Sequence, residues 1–504
     1  MLAQVRTVAL WGIDVVPITV EVDVGDGLPR TIVVGLPDST VRESQERLVA
    51  AFKHSGVDLP LGRITVNLSP TDLRKVGSHY DLPIAIALAL AAGTVPQARV
   101  EGLVFLGELA LDGALRPVTG VLPAARWARA AGARALVVPE ANRAEASAGG
   151  VPVWSLRTLS DAFTLLREGR PPEAPPDETA LPREESCGDL ADVRGQAPAK
   201  RALEVAAAGG HNLLFVGPPG SGKTILARRV PGLLPPLEGE NAIEATCIHS
   251  AAGLLRAGQG LLQTPPFRAP HHMISATALV GGGPAPRPGE VSLAHHGVLF
   301  LDEFAEFRRD AMEALRQPLE EGRAVVARAR YTVTFPARFT LIAAMNPCPC
   351  GHAGDPLRVC RCTPFQVEQY RRRISGPLLD RMDLQIEVPR VRVEDLSSGA
   401  PGERSALVAA RVRKARDLQV TRQGRLNGHL GLKPTERWCR PEPAAQRLLE
   451  HALERFGLSA RAWHRVLRVA RTVADLEGAE GIRTAHIAEA VQYRAMDRST
   501  ARRD

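Results

Sequence analysis

The chain has 504 residues, 45% of them apolar and 23% charged. That is an ordinary globular balance over enough length for two or three domains, and it excludes a disordered chain, a collagen-like fibre and a small disulfide scaffold. Aromatic residues are only 4%, so rows of stacking rings for single-stranded nucleic acid do not dominate, and a net charge of +8 permits a polyanionic partner without requiring one.

Residues 1–20 carry Asp14 and Pro17 and lack a basic start followed by an apolar core, so no secretory signal is read there. The longest apolar run, Ile84–Ala92, is far shorter than the roughly 20 residues that span a bilayer. The expectation is a cytoplasmic protein with no membrane partner. Seven cysteines in such a chain argue for free thiols or a metal site rather than disulfides.

Residues 1–168 alternate apolar and polar positions over Ile18–Val24 and Thr31–Val34, then turn helical over Leu82–Ala92. This predicts a compact α+β domain. Residues 169–186 form a linker, since Arg170–Glu185 reads RPPEAPPDETALPREE, rich in Pro and acid and without apolar periodicity. Over 187–395, apolar strands alternate with helical segments, which predicts a parallel α/β sheet. A weaker break at Leu396–Gly402 opens a helical region, 396–504, with helical spacing over Arg404–Val420, Pro443–Phe456, Ala460–Leu476 and Thr484–Met496.

The strongest chemical signal is Gly217-Pro218-Pro219-Gly220-Ser221-Gly222-Lys223-Thr224, which satisfies G-x-x-x-x-G-K-[ST]. The strand-like His211–Val216 precedes it and a helical start at Ile225 follows. The glycines let backbone N–H groups curl around phosphate, Lys223 brings a point charge to it, and the Thr224 hydroxyl suits Mg2+. A metal-holding acid is needed on a neighbouring strand. Gly297–Phe304 supplies Asp302 for the metal and Glu303 to polarise the attacking water. A third strand, Phe339–Met345, ends in Asn346, an amide suited to orienting that water.

Cys348, Cys350, Cys360 and Cys362 form C-x-C-x9-C-x-C. Four thiolates so spaced can enclose one Zn2+ as a closed structural site, with His352 as a substitute ligand; reduced thiols or a reversible disulfide are the alternatives. The pairs His271–His272 and His295–His296 are candidate metal ligands by residue type, though neither is assigned a metal, and the second, just before the Asp-Glu strand, is read as packed there. Gly322–Phe335 reads as paired strands that place Arg328 and Arg330 on one face. The basic stretch Arg404–Arg425 offers Arg411, Lys414 and Arg422 on a helix surface, either as a solvated face or as phosphate contacts.

Phosphate loop, Asp-Glu strand and terminal Asn in this order resemble an AAA+ ATPase core. Ser375–Asp383 resembles the arginine-finger segment of magnesium-chelatase and MCM-like AAA+ proteins, which implies that Arg381 reaches the nucleotide of a neighbouring subunit. Leu458–Arg468 resembles the sensor-2 helix, which puts Arg461 on the nucleotide. Longer blocks narrow the likeness: TVNLSPTDLRKVGSHYDLPIAIALA (Thr65–Ala89), LGELALDG (Leu106–Gly113), FRAPHHMISATALVGGG (Phe267–Gly283), PRPGEVSLAHHGVLFLDEF (Pro286–Phe304) and HRVLRVARTVADLEG (His464–Gly478). Through them the whole chain resembles the magnesium-chelatase-like competence protein ComM (YifB) family.

The resemblance implies an AAA+ P-loop ATPase core with a helical lid, preceded by a Lon-protease-like α+β domain. It implies ATP and Mg2+ as cofactors and a homo-hexamer. Its implied activity is that of a helicase-like DNA motor acting on single-stranded and branched DNA, beside recombination proteins, to promote branch migration during natural transformation. Two other functions stay open: a chelatase-type ATPase that remodels a protein partner, and a Lon-like ATP-dependent protease. The second is disfavoured, because Ser78 has no lysine anywhere from Val76 to Ala199 to activate it. Lys75, Arg74 and His79 are then read as a basic loop.

Overall fold

The computed structural model describes residues 2–28, 30–60, 62–169, 188–328, 331–391, 402–457 and 459–494. The expected linker and the break at Leu396–Gly402 lie outside them, apart from Gly169, Gly402 and nothing else of either segment. The chain forms two compact units.

The first unit contains the described residues up to 169, with 238–262 and 282–288. Its main sheet is made of β1 (Ala3–Trp11), β2 (Asp14–Gly25), β3 (Arg30–Val34), β4 (Arg63–Ser69), β5 (Leu103–Phe105), β6 (Ala135–Pro139) and β7 (Val153–Leu156). They form one mixed sheet in the order β3-β4-β2-β1-β5-β6-β7. β1 pairs antiparallel with β2 along the whole length of β1, from Ala3↔Val22 to Trp11↔Asp14. Helix Asp81–Ala91 is buried on every side from Asp81 to Leu90, so the longest apolar run of the chain is a core helix. Helix Ser39–Ser55 is capped by the Asp38 carboxylate, which accepts from Val41 N–H at 2.9 Å.

Helix Gly239–Ala252 also belongs to this unit. Its Ser250 hydroxyl donates to the buried Glu145 carboxylate, which also accepts the Leu122 N–H at 2.9 Å and the Asn142 amide at 3.2 Å. Arg126 pairs with Glu240 at 2.7 Å. A buried carboxylate with this many donors is satisfied only when all of them are in place.

The second unit is built on five strands: β8 (Leu213–Val216), β9 (Phe267–Arg268), β10 (Val298–Leu301), β11 (Thr340–Met345) and β12 (Leu384–Glu387). Their order is β9-β10-β11-β8-β12, and every neighbouring pair is parallel. β8, β10 and β11 are buried at every residue, as expected of parallel strands covered on both faces. Among the described residues the C-terminal helices include Ser405–Gln423, Pro443–Phe456, Ala460–Glu477 and Thr484–Gln492. Ser405–Gln423 and Ala460–Glu477 both pack on helix Ala197–Gly209. Val408, Val412, Leu449, Val466 and Val473 share one core with Phe215, Phe300 and Ile342 of the sheet.

Among the described residues no helix is long and apolar enough to cross a membrane.

Candidate functional site

Three neighbouring parallel strands deliver their C-terminal ends to one edge of the second unit's sheet. β11 lies between β8 and β10, with Val216 opposite Met345 and Leu301 opposite Ala343. The residues that follow these ends are Gly217, Asn346 and Asp302. This is where open parallel sheets place their ligand crevice.

The loop after β8 is shaped by its glycines. Gly220 and Gly222 take left-handed backbones, φ 76° and 92°. A Cβ on Gly217 would sit 2.1 Å from the Val388 carbonyl oxygen, so no larger residue fits there. Lys223 then opens helix Lys223–Arg228 and folds back under the loop. Its ammonium donates to the carbonyls of Gly217 (2.7 Å) and Pro218 (2.9 Å), and lies 3.5 Å from Asn346 Oδ1. The side chain is only 8% exposed, and burial pulls its pKa down to about 8. Ser221 Oγ is buried with no partner in the same loop. A buried cation held by neutral carbonyls beside an orphan hydroxyl is a cradle for an anionic oxygen, and it fits a nucleotide phosphate.

Asp302 and Thr224 meet across the strand ends, Thr224 Oγ1 donating to Asp302 Oδ2 at 2.6 Å. One hydroxyl and one carboxylate so paired are hard oxygen ligands of the kind Mg2+ takes. Asp302 Oδ1 accepts the Glu303 N–H at 2.9 Å. Glu303 itself has φ 53°, a left-handed conformation that costs a non-glycine residue about 1–3 kcal/mol. The turn swings its carboxylate away from the strand line to the His272 imidazole, Nδ1 to Oε2 3.0 Å. The sequence offers His272 only as one of a histidine pair with metal-ligand character, not as a partner of Glu303. Its signal was present in the Phe267–Gly283 block, but a contact 31 residues along the chain leaves no local pattern.

Arg381 and Arg461 lie together, away from the Lys223 loop. Arg381 pairs with Glu320 and donates to the Pro377 carbonyl. Arg461, a largely exposed side chain, sits 3.9 Å from Asp380. Both arginines line a cavity of about 600 Å3 that Arg338, Arg465 and Arg468 also line; no residue of the 217–224 loop lines it. The proximity of Arg461 and Arg316 lowers the Arg381 pKa further, after burial. Six arginines line this cavity against four acids, Glu320, Glu321, Asp380 and Asp383, so guanidinium groups outnumber their carboxylate partners.

Three family models match the chain: "Magnesium chelatase, subunit ChlI" over residues 189–396, "Subunit ChlI of Mg-chelatase" over 20–142, and "Magnesium chelatase, subunit ChlI C-terminal" over 402–494. The chain is 45% identical to the "Competence protein ComM" of Haemophilus influenzae, covering 99% of this chain and 98% of that one. It is equally 45% identical to the "Uncharacterized protein YifB" of Salmonella typhimurium, with the same coverage. The chain belongs to the magnesium-chelatase-like ComM family. The "Magnesium-chelatase 38 kDa subunit" of Rhodobacter capsulatus is a more distant relative, 26% identical over 58% of this chain and 83% of that one.

Other residues singled out in this ComM-family chain divide into two groups. The cysteines come together: the four Sγ atoms of Cys348, Cys350, Cys360 and Cys362 lie within 4.8 Å of one another. His352 is not among them; it faces Asp355 at 3.4 Å. The basic surfaces fare differently. Arg411 is held by Glu204 and Glu403, and Arg422 by Asp475 at 2.6 Å and Asn427 at 3.0 Å. Both serve packing within the unit, because partly buried guanidinium groups need their charge met. Lys75 and His79 are buried, Lys75 donating to the Pro70 carbonyl and His79 in contact with the Val8 carbonyl at 3.0 Å. Of that trio only Arg74 is exposed, so no basic loop forms there. Arg328 is exposed at the end of the hairpin strand Arg323–Arg328, and Arg330 lies outside the described residues.

Proposed function

We propose that the second unit hydrolyses ATP with Mg2+, and that a ring of these chains, six by family resemblance, couples the reaction to movement along single-stranded and branched DNA. The observation that carries the ATPase reading is the meeting of Lys223, the Thr224–Asp302 pair, Glu303 and Asn346 at three adjacent strand ends. In this reading the loop 217–224 wraps the phosphates, with Lys223 leaving its carbonyl partners for them. Thr224 and Asp302 hold the Mg2+, which when bound neutralises charge on phosphate oxygens. Glu303 takes a proton from the attacking water and Asn346 holds that water in line.

Arg381 and Arg461 act together on a neighbouring subunit's nucleotide. The support is their shared cavity and its excess of guanidinium groups. A mixing experiment tests this. Arg381→Ala and Lys223→Ala should each be inactive alone, and mixing them should restore part of the ATPase activity, because some interfaces then combine an intact loop with an intact finger. A mixture as inactive as its parts would place Arg381 outside the reaction.

The C-terminal helices from Ser405 onward serve as the lid of the AAA+ core. The first unit is read as a Lon-protease-like fold without protease activity. Ser78 Oγ donates to Glu108 rather than to a lysine, and Val76–Ala199 contains none. Likeness to the Haemophilus competence protein supports branch migration of incoming strands as the biological task, in the cytoplasm. ATP hydrolysis without DNA, with single-stranded DNA and with a four-way junction tests the motor. Strong stimulation by DNA, lost in Lys223→Ala, is the expected result. An ATPase indifferent to every DNA would move the function to a chelatase-type machine that remodels a protein, the reading that the Rhodobacter relative favours.

A further inference from the structure

The cysteine cluster has the dimensions of a metal site. Cys348 Sγ lies 3.4 Å from Cys350 Sγ and 3.6 Å from Cys360 Sγ, and Cys350 and Cys360 are 3.6 Å apart. Four sulfurs at the Zn–S bond length of about 2.3 Å from a tetrahedral centre stand about 3.8 Å from one another. The thiols are free, and each receives a backbone N–H. Ala353 N–H donates to Cys348 at 3.3 Å. The N–H groups of His352 and Arg361 reach Cys350, that of Cys362 reaches Cys360, and that of Cys350 reaches Cys362. Backbone donors beside the sulfurs are outer-shell contacts of the kind that orient the ligands of a metal site.

The location gives the site a task. Cys348 follows the water-orienting Asn346 by two residues. The turn that the cysteines enclose bends at Gly351, φ 82°. A Cβ there would lie 2.8 Å and 2.9 Å from Pro219 Cδ and Cγ and 3.9 Å from Asn346 Cγ. The backbone of the turn therefore rests on the phosphate loop itself and against the Asn346 amide.

We infer that Cys348, Cys350, Cys360 and Cys362 bind one Zn2+ per chain, and that the metal holds the Gly351 turn against Pro219 and Asn346, so that the metal governs ATP turnover. The site is closed: four protein ligands leave no open position for substrate, so the metal's part is structural. The coupling half of the inference rests on the ATPase reading, whereas the binding half does not.

Protein purified without chelator, with its thiols reduced, is analysed for metal, and zinc release is followed with a chromogenic chelator as the thiols are modified. One Zn2+ per chain is expected in the unaltered protein and in Lys223→Ala, and none in the double variant Cys360→Ser/Cys362→Ser. Removal of the metal should lower turnover on the order of tenfold to a hundredfold, the cost of an ångström-scale displacement of a catalytic group. Zn2+ added back should restore it, which separates a local effect from unfolding even if the double variant does not fold. Co2+ in its place should show the absorption of a tetrathiolate site. Reduced protein without stoichiometric zinc would overturn the site. Full turnover in zinc-stripped protein would overturn the coupling. A chain that carries zinc but hydrolyses no ATP would count against the ATPase reading alone.

Discussion

Glu303→Gln should bind ATP as the unaltered protein does and turn it over on the order of 10²–10⁴ times more slowly, the usual worth of a general base. The geometry separates the two acids that a sequence sets side by side. Asp302 is committed on both oxygens, to the Thr224 hydroxyl and to the Glu303 N–H. Glu303 is turned out by its left-handed backbone, 57% exposed, and pairs with His272. Glutamine keeps the length and the shape of the side chain, so the loop 217–224 is undisturbed. It removes only the capacity to accept a proton. Fluorescent-nucleotide titration and single-turnover hydrolysis measure the two quantities separately. Turnover within about twofold of the unaltered protein, below any general-base effect, would mean that another group takes the proton.

Contiguous signals were the legible ones. The loop 217–224 carries its chemistry in eight consecutive residues, and its flanking strand and helix could be read beside it. β8, β10 and β11 announced themselves as apolar runs because strands buried on both faces need no alternation. The helical region after residue 402 was legible from periodicity, which the surfaces of those helices preserve. What escaped was set by partners far along the chain. Helix Gly239–Ala252 reads as part of the ATPase stretch, yet Ser250 bonds to Glu145, 105 residues earlier. Arg411 looks like a free cation on a helix until Glu204, 207 residues away, meets it. Arg461 is placed beside Arg381 by the packing of helix Ala460–Glu477, which no motif encodes. The contact of Gly351 with Pro219 is of the same kind: it exists because β8 and β11 are neighbours.

Lys223→Ala should lower ATP affinity on the order of a hundredfold and reduce hydrolysis to background. The ammonium is buried, and its present partners are two neutral carbonyls with Asn346 at the edge of reach. Exchanging carbonyls for phosphate oxygens adds charge-assisted hydrogen bonds worth about 1.5–3 kcal/mol each, and at 1.4 kcal/mol per tenfold one or two of them account for the loss. Alanine also leaves the Gly217 and Pro218 carbonyls without their donor, so the loop loses its own brace. The same burial gives the affinity a pH signature. With its pKa lowered to about 8, Lys223 is charged below that pH, and an anion then binds without taking up a proton. Above it, binding must first protonate the amine, so the affinity contributed by Lys223 should decline by up to about tenfold per pH unit until the bound-state pKa is passed. Measured with a nucleotide whose own phosphates no longer titrate, the decline should be present in the unaltered protein and absent from Lys223→Ala. A decline that survives in the alanine variant would assign the titration to another group, and an alanine variant that binds ATP at full strength would remove Lys223 from the phosphate site.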